Sequence, residues 1–185
     1  MFEVELKFSL ADPGPVLERL KRLGAQPQPP VEQVDVYFNH PCRDFAQTDE
    51  ALRIRSQGPQ QVLTYKSALL DSRTKTRREI EIPLAAGESR EKLAEALTLL
   101  GFTSVFEVRK RRQPQHLNWH DRDFEVAFDE VEGLGPFVEV ETLANAAERP
   151  VATQAILDLA ALLELSKPEP QSYLRLLLQK TPQKS

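Results

Sequence analysis

Apolar and charged side chains alternate along residues 2–8, Phe-Glu-Val-Glu-Leu-Lys-Phe, which predicts a strand with one apolar and one charged face. The period changes after Asp12-Pro13, read as an N-cap and first helical residue. Val16, Leu17, Leu20 and Leu23 then share one helical face, and Gly24 ends the helix. A Pro-rich loop at 27–30 leads into a strand around 33–39. Residues 51–57 and 61–67 read as a hairpin broken at Gly58-Pro59, and 73–83 alternates again with Pro83 marking an edge. Residues 88–100 predict an amphipathic helix with Leu93, Leu97 and Leu100 inward and Gly101 as its C-cap. Strands at 105–119, 124–131 and 136–143 follow, the first two joined by a polar turn at 121–123. Pro150 opens a helix to about Leu165, and a short helix covers 173–178.

About eight strands and few helices predict an α+β protein: a closed antiparallel β-barrel with helices packed outside. The chain of 185 residues suits a single domain, residues 1–185, with a short disordered tail from about 180.

The strand faces carry the chemistry. Side chains two apart point the same way, so Glu3, Glu5 and Lys7 share a face. So do Arg53 with Arg55, Arg77 with Glu79 and Glu81, Lys110 with Arg112, and Glu139 with Glu141. The opposite faces hold Val4, Leu6, Leu52, Ile54, Ile80, Ile82, Val138 and Val140. An ordinary antiparallel sheet turns its charged face to solvent, and Glu-x-Glu-x-Lys alone says no more than that. Recurrence in five strands changes the weighing. Helices need the apolar side, so closing the sheet turns the charged faces inward. A barrel of about eight strands can enclose a small ligand. Charges buried there need partners or ions.

Formal charge narrows the ligand. Lys and Arg number 24 against 28 Asp and Glu, a net −4, so no global basic field draws the chain to nucleic acid or to an anionic membrane. A phosphate ligand must be caught locally. The inward candidates are the acids Glu3, Glu5, Asp35, Glu79, Glu81, Asp129, Glu139 and Glu141. The bases are Lys7, Arg53, Arg55, Lys66, Arg77, Lys110 and Arg112, which leaves the set one charge negative. A triphosphate of about −4 with two divalent cations leaves that balance unchanged. Arg forks suit phosphate oxygens, Lys supplies point charge, and carboxylates suit hard Mg²⁺ or Mn²⁺.

Glu3-Val4-Glu5-Leu6-Lys7 resembles the E-x-E-x-K signature of the CYTH superfamily, the triphosphate tunnel metalloenzymes. Asp35-Val36-Tyr37-Phe38, Arg43-Asp44-Phe45, Leu52-Arg53-Ile54-Arg55, Thr64-Tyr65-Lys66, Arg77-Arg78-Glu79-Ile80-Glu81, Lys110-Arg111-Arg112, Asp129-Glu130-Val131, Phe137-Val138-Glu139-Val140-Glu141 and Ser172-Tyr173-Leu174 continue it in the family's order. Residues 35–55 and 63–81 look most like class IV adenylyl cyclases. That resemblance implies conversion of ATP to 3′,5′-cyclic AMP and pyrophosphate with two Mg²⁺ or Mn²⁺ ions. It implies metal at Glu3, Glu5, Asp129, Glu139 and Glu141, with Glu3, Glu5 and Glu141 catalytic. Glu79 and Glu81 would bind a second metal or orient the bases. Lys7, Arg53, Arg55, Lys66, Arg77, Lys110 and Arg112 would hold the phosphates, and a homodimer is also implied. Two alternatives stay open: a triphosphatase acting on thiamine triphosphate or inorganic triphosphate, and a non-catalytic nucleotide- or polyphosphate-binding barrel.

Other residues read more plainly. A single cysteine, Cys42, excludes an intrachain disulfide and a multi-cysteine zinc site. His40, His116 and His120 lack a helical metal spacing and read as solvated turn residues. His116 shares parity with Lys110 and Arg112 unless Pro114 breaks the register. Trp119 is expected to cover the barrel. The run 73–78 fits equally a solvated loop base and a lid over the phosphates. No apolar run suggests a signal peptide or a membrane span, so a cytoplasmic location and no membrane partner are expected.

Overall fold

The computed structural model describes residues 1–71, 73–85 and 89–180, the side chain of Ser89 excepted. The expected tail beyond 180 and the predicted helix start at 88 lie outside the described residues. The chain runs β1 (Phe2–Ser9), α1 (Gly14–Arg22), β2 (Gln26–Pro27), β3 (Val31–Asn39), α2 (Phe45–Thr48), β4 (Ala51–Gln57), β5 (Gln60–Lys66) and β6 (Arg77–Leu84). It continues through α3 (Ser89–Leu99), β7 (Thr103–Trp119), β8 (Arg122–Val131), β9 (Gly135–Ala144), α4 (Arg149–Leu162) and α5 (Tyr173–Lys180). The sheet order is β2-β7-β3-β4-β5-β6-β1-β9-β8, and β7 also pairs with β8. Eight antiparallel strands therefore close into a barrel, with β2 outside the ring on β7. Closure needs a long strand, and β7 supplies it: residues 103–112 pair with β3 and residues 110–119 with β8.

Outward side chains of the closed sheet form the core. Val4, Leu6 and Phe8 of β1 join Leu117, Val126, Val138 and Val140 beneath Val16 and Leu20 of α1 and Ala152, Ile156 and Leu159 of α4. Each such side chain contributes about 1.5–3 kcal/mol on burial. On the other side Phe38, Leu52 and Ile54 pack under Phe45 and Leu97. β1 is consequently buried on both faces: Glu3, Glu5 and Lys7 inside the barrel, Val4, Leu6 and Phe8 beneath the helices. The wall is thinnest between β6 and β1, which pair only at Phe2↔Arg78 and Glu3↔Arg77. The Lys75 amide donates to the Glu5 carbonyl at 2.9 Å and extends that seam.

Several local expectations shift. α1 begins at Gly14 with Pro13 at the cap position, and Asp12 Oδ1 accepts from the Gly14 amide at 2.8 Å. The segment 73–76 is not strand: Asp71 and Thr76 bridge around a tight turn, and β6 starts at Arg77. Leu100 is 70% exposed, because Gly101 turns the chain at φ +90° and Phe102 joins Leu97 in the core instead. The β7–β8 turn comprises His120 and Asp121, both left-handed, which matches strand twist in a two-residue hairpin. α4 stops three residues short of Leu165, and Glu164 takes a left-handed conformation just past it. Pro114 leaves the β7–β8 register unbroken. Among the described residues no helix is long and apolar enough to cross a membrane.

Candidate active site

Every inward-facing residue predicted from sequence except Asp35 and Asp129 lines one cavity of about 600 Å³ inside the barrel. A second recess of about 490 Å³ shares Arg55, Glu81, Arg112 and Glu141 with it, so the charged interior is reached from two ends. The closed order places β4 and β5 opposite β9 and β8, setting a basic wall against an acidic one.

On the basic wall, Asp35 accepts two hydrogen bonds from Arg55, at 2.7 and 2.8 Å, and one from Arg53 at 3.2 Å. Burial opposes ionisation of Asp35, but the two guanidiniums outweigh it and hold its carboxyl well below the usual range. Asp35 thus aims both arginines. Arg53 Nε is buried and finds no acceptor among the described residues, a donor left for an anion. Lys66 Nζ lies 2.5 Å from Glu3 and 3.3 Å from Glu79; burial disfavours its charge, and those two carboxylates more than restore it. Arg77 donates to the carboxylate and carbonyl of Asp49 and to the Ser67 carbonyl, so it fastens the β5–β6 loop while lining the cavity.

Asp129 sits behind the cavity wall. It accepts from Lys110 at 2.8 Å, from Arg112 at 2.7 and 2.8 Å and from the Tyr173 hydroxyl at 3.0 Å, with its side chain fully enclosed. Both oxygens are committed to protein donors, so the structure places it as a hub for the two bases and does not bring it to the cavity surface. Burial and the neighbouring Glu139 and Asp129 push the Tyr173 phenol far up, keeping it a donor. Lys110 is pulled down to about 8 by burial and by Arg112.

The acidic wall follows from register. Glu5 lies directly opposite Glu141, and Glu141 directly opposite Glu125, giving a row of three carboxylates across β1, β9 and β8. Like charges so placed repel. The Glu141 side chain makes no hydrogen bond or ion pair with any described residue, and burial, then Glu3, pushes its carboxyl up to about 8. Glu139, two residues away, is also disfavoured by burial, yet Lys110 and Arg112 hold it well below the usual range. A divalent cation would relieve that row. Mg²⁺ is commonly held by one or two carboxylates with phosphate oxygens and water completing the shell, and Glu5 with Glu141 fit that demand. Among the described residues no three acidic, histidine or cysteine side chains are grouped so that they could hold a metal ion on their own.

Lys7 donates to the Gln171 carbonyl and lies 4.2 Å from the Tyr173 ring centroid. Burial, then Lys75, pulls its ammonium down to about 7.

These shifts fix a pH response. A carboxyl raised in the folded state stabilises the fold below its unfolded value and loses that contribution as pH rises toward 8. Metal-free protein is expected to lose about 2 kcal/mol between about pH 5 and 7 through Glu141, whereas Glu141→Gln loses none of it. The two melting curves should separate by about 5 °C at the upper pH. Melts in chelator across that range check this; parallel slopes would refute it.

Sequence reasoning missed Lys75, whose Nζ reaches Glu5 Oε1 at 3.1 Å, and Asp49, the partner of Arg77. It also missed α2, capped by Asp44, which brings Phe45 to the cavity rim. His116 and His120 are exposed, His40 packs on Phe45 and Phe102, and Trp119 packs against the core. Cys42 is a free, exposed thiol.

Comparison with known proteins places the architecture. The family model described as the CYTH domain matches residues 1–173. A protein of Methanocaldococcus jannaschii that carries the provisional name adenylate cyclase is 37% identical over 179 residues, covering 95% of this chain and 98% of that one. The solved structure of a Pyrococcus horikoshii OT3 protein matches with a TM-score of 0.84 at 37% identity, covering 97% of this chain and 99% of that one. A Hippeastrum structure shares the fold alone, with a TM-score of 0.62 at 17% identity over 96% of each chain.

Proposed function

The chain belongs to the CYTH domain family, and from that premise we propose that it is a metal-dependent adenylyl cyclase, converting ATP to 3′,5′-cyclic AMP and pyrophosphate. The observation that carries this reading is the continuity of the charged interior with an apolar rim. The cavity that holds Arg53, Lys66 and Glu5 also runs past Tyr37, Phe45, Leu143, Leu174 and Leu178. A bare triphosphate has no use for such a rim, whereas an organic group attached to one, such as a nucleoside, does. The name carried by the M. jannaschii relative supports the same choice.

Arg53, Arg55, Lys110 and Arg112 are preset by Asp35 and Asp129, so they meet phosphate oxygens without reorganising. Glu5 and Glu141, with Glu3 and Glu139 alongside, would hold Mg²⁺ or Mn²⁺ between that basic set and the acidic wall. Such an ion, when bound, lowers the pKa of the ribose 3′-hydroxyl and offsets charge on departing pyrophosphate. The residues align the 3′-oxygen with the α-phosphorus, where its bond to phosphorus forms as the bridge to the β-phosphate breaks and the hydroxyl proton passes to water. Charge on the leaving group falls to Lys7, Lys66 and the arginines. No histidine faces the site to act as a base, and this scheme needs none.

One observation favours a triphosphatase instead. The second recess, bordered by Gln28, Gln33 and Gln57, opens the interior to water from the far end. The Hippeastrum protein, named provisionally as a cyclase, is described as having a dominant triphosphatase activity. Purified protein incubated with ATP and Mg²⁺ or Mn²⁺ separates the two. The proposal expects cyclic AMP and pyrophosphate in equal amounts; orthophosphate without cyclic AMP would replace it with the triphosphatase. Tight triphosphate binding without turnover would leave a binding barrel.

A further inference from the structure

Lys75 lies outside the set of bases that the strand faces predict, yet its ammonium points into the tunnel. Thr74 and Thr76, which flank it, are each 1% exposed and share a hydrogen bond of 2.8 Å. Lys75 lies in the turn closed by Asp71 and Thr76, and its side chain reaches the cavity beside Arg77 and Glu79. Its amide is held by the Glu5 carbonyl at 2.9 Å, which fixes the backbone whatever the side chain does. The run 73–78 thus divides: Arg73 pairs with Asp71 in solvent, while Lys75 and Arg77 enter the cavity.

The ammonium occupies a consequential place. Lys75 is the one ion-pair partner that Glu5 has among the described residues, at 3.1 Å, with both side chains largely buried. Close by, Lys7 has no carboxylate partner among the described residues and rests on a carbonyl oxygen and an aromatic ring. Lys7 thus has an ammonium available to an added polyanion, and Lys75 beside it has only Glu5 as an ion-pair partner among the described residues. The same Glu5 faces Glu141 across the ladder, where a divalent cation fits. A carboxylate bridging to a cation repels an adjacent ammonium, which must then find another anion.

We propose that Lys75 is an exchangeable stopper on Glu5: it neutralises that carboxylate in the empty tunnel, and moves onto a phosphate when metal and triphosphate arrive together. The inference rests on the metal–triphosphate reading of the site. It makes Lys75 a substrate-binding residue, and it makes metal binding before triphosphate unfavourable, because the ion must first evict an ammonium.

The consequence has opposite signs for two ligands. Lys75→Met keeps the apolar stem and the backbone bond, and Lys75→Arg keeps the charge. With Lys75→Met, affinity for inorganic triphosphate at saturating Mn²⁺ is expected to fall about tenfold, the loss of one charged hydrogen bond. Affinity for Mn²⁺ alone is expected to rise severalfold as Glu5 is released, and Lys75→Arg should stay near wild type in both. Calorimetric titration with triphosphate, and Mn²⁺ titration followed by its paramagnetic resonance, read these shifts. Unchanged affinities, or both falling together, would overturn the exchange and leave Lys75 a structural tie. Failure of the wild-type protein to bind triphosphate at all would instead overturn the reading beneath it.

Discussion

Alanine at Glu5 or at Glu141 is expected to lower turnover of ATP by about a thousandfold or more, roughly 4 kcal/mol of transition-state stabilisation. The size follows from position. These two carboxylates face each other across the β1–β9 ladder, and Glu141 alone in that row has no protein partner. Its charge is stabilised only when a cation is present, so removing it eliminates an interaction made on loading the site. Arg53, Arg55, Lys110 and Arg112 keep their own partners, Asp35 and Asp129, so triphosphate affinity should fall much less than turnover. Steady-state assays beside equilibrium binding separate the two effects. Turnover within a few-fold of wild type in either variant would remove these residues from the metal site.

Asp129→Ala is expected to be the most destabilising single change in the barrel. Lys110, Arg112 and Tyr173 converge on this one carboxylate, and its side chain is fully enclosed. Removing one member of a buried ion-pair cluster leaves the other charges uncompensated, at about 3–5 kcal/mol. For a chain of this size that corresponds to a melting point lower by about 10 °C. Asp129→Asn, which retains an acceptor but no charge, should fall between. A melting point within about 2 °C of wild type for the alanine variant would show that the two bases find other partners.

Which residues face the tunnel was largely legible in the sequence, because a strand's period of two is a local property. Glu3, Glu5 and Lys7 needed only the alternation of residues 2–8, and the same held for Arg53 with Arg55 and Glu139 with Glu141. Which charge meets which was not legible. Arg112 finds Asp129 and Glu5 faces Glu141 through cross-strand registers that no local pattern sets. Asp129 was accordingly expected among metal ligands, and its surroundings enclose it instead. Lys75 escaped notice because it lies in a turn, where no two-residue period sets which way a side chain points. Leu100 misled for the converse reason: its helical spacing was right, but Gly101 turns the chain one residue later and gives the core Phe102. The apolar rim depends on α2, one short turn whose only sequence sign is the capping Asp44.

The central claim, that the barrel interior holds a triphosphate against a divalent cation, is tested most directly by a crystal structure with Mn²⁺ and an ATP analogue carrying a methylene bridge between the α- and β-phosphates. The account predicts an anomalous manganese peak within about 2.0–2.3 Å of oxygens from Glu5 or Glu141. It also predicts phosphate oxygens on Arg53, Arg55, Lys110 and Arg112, the nucleoside against Tyr37 and Phe45, and Lys75 moved off Glu5. A triphosphate bound outside the barrel, or inside it with no manganese at those carboxylates, would contradict the account.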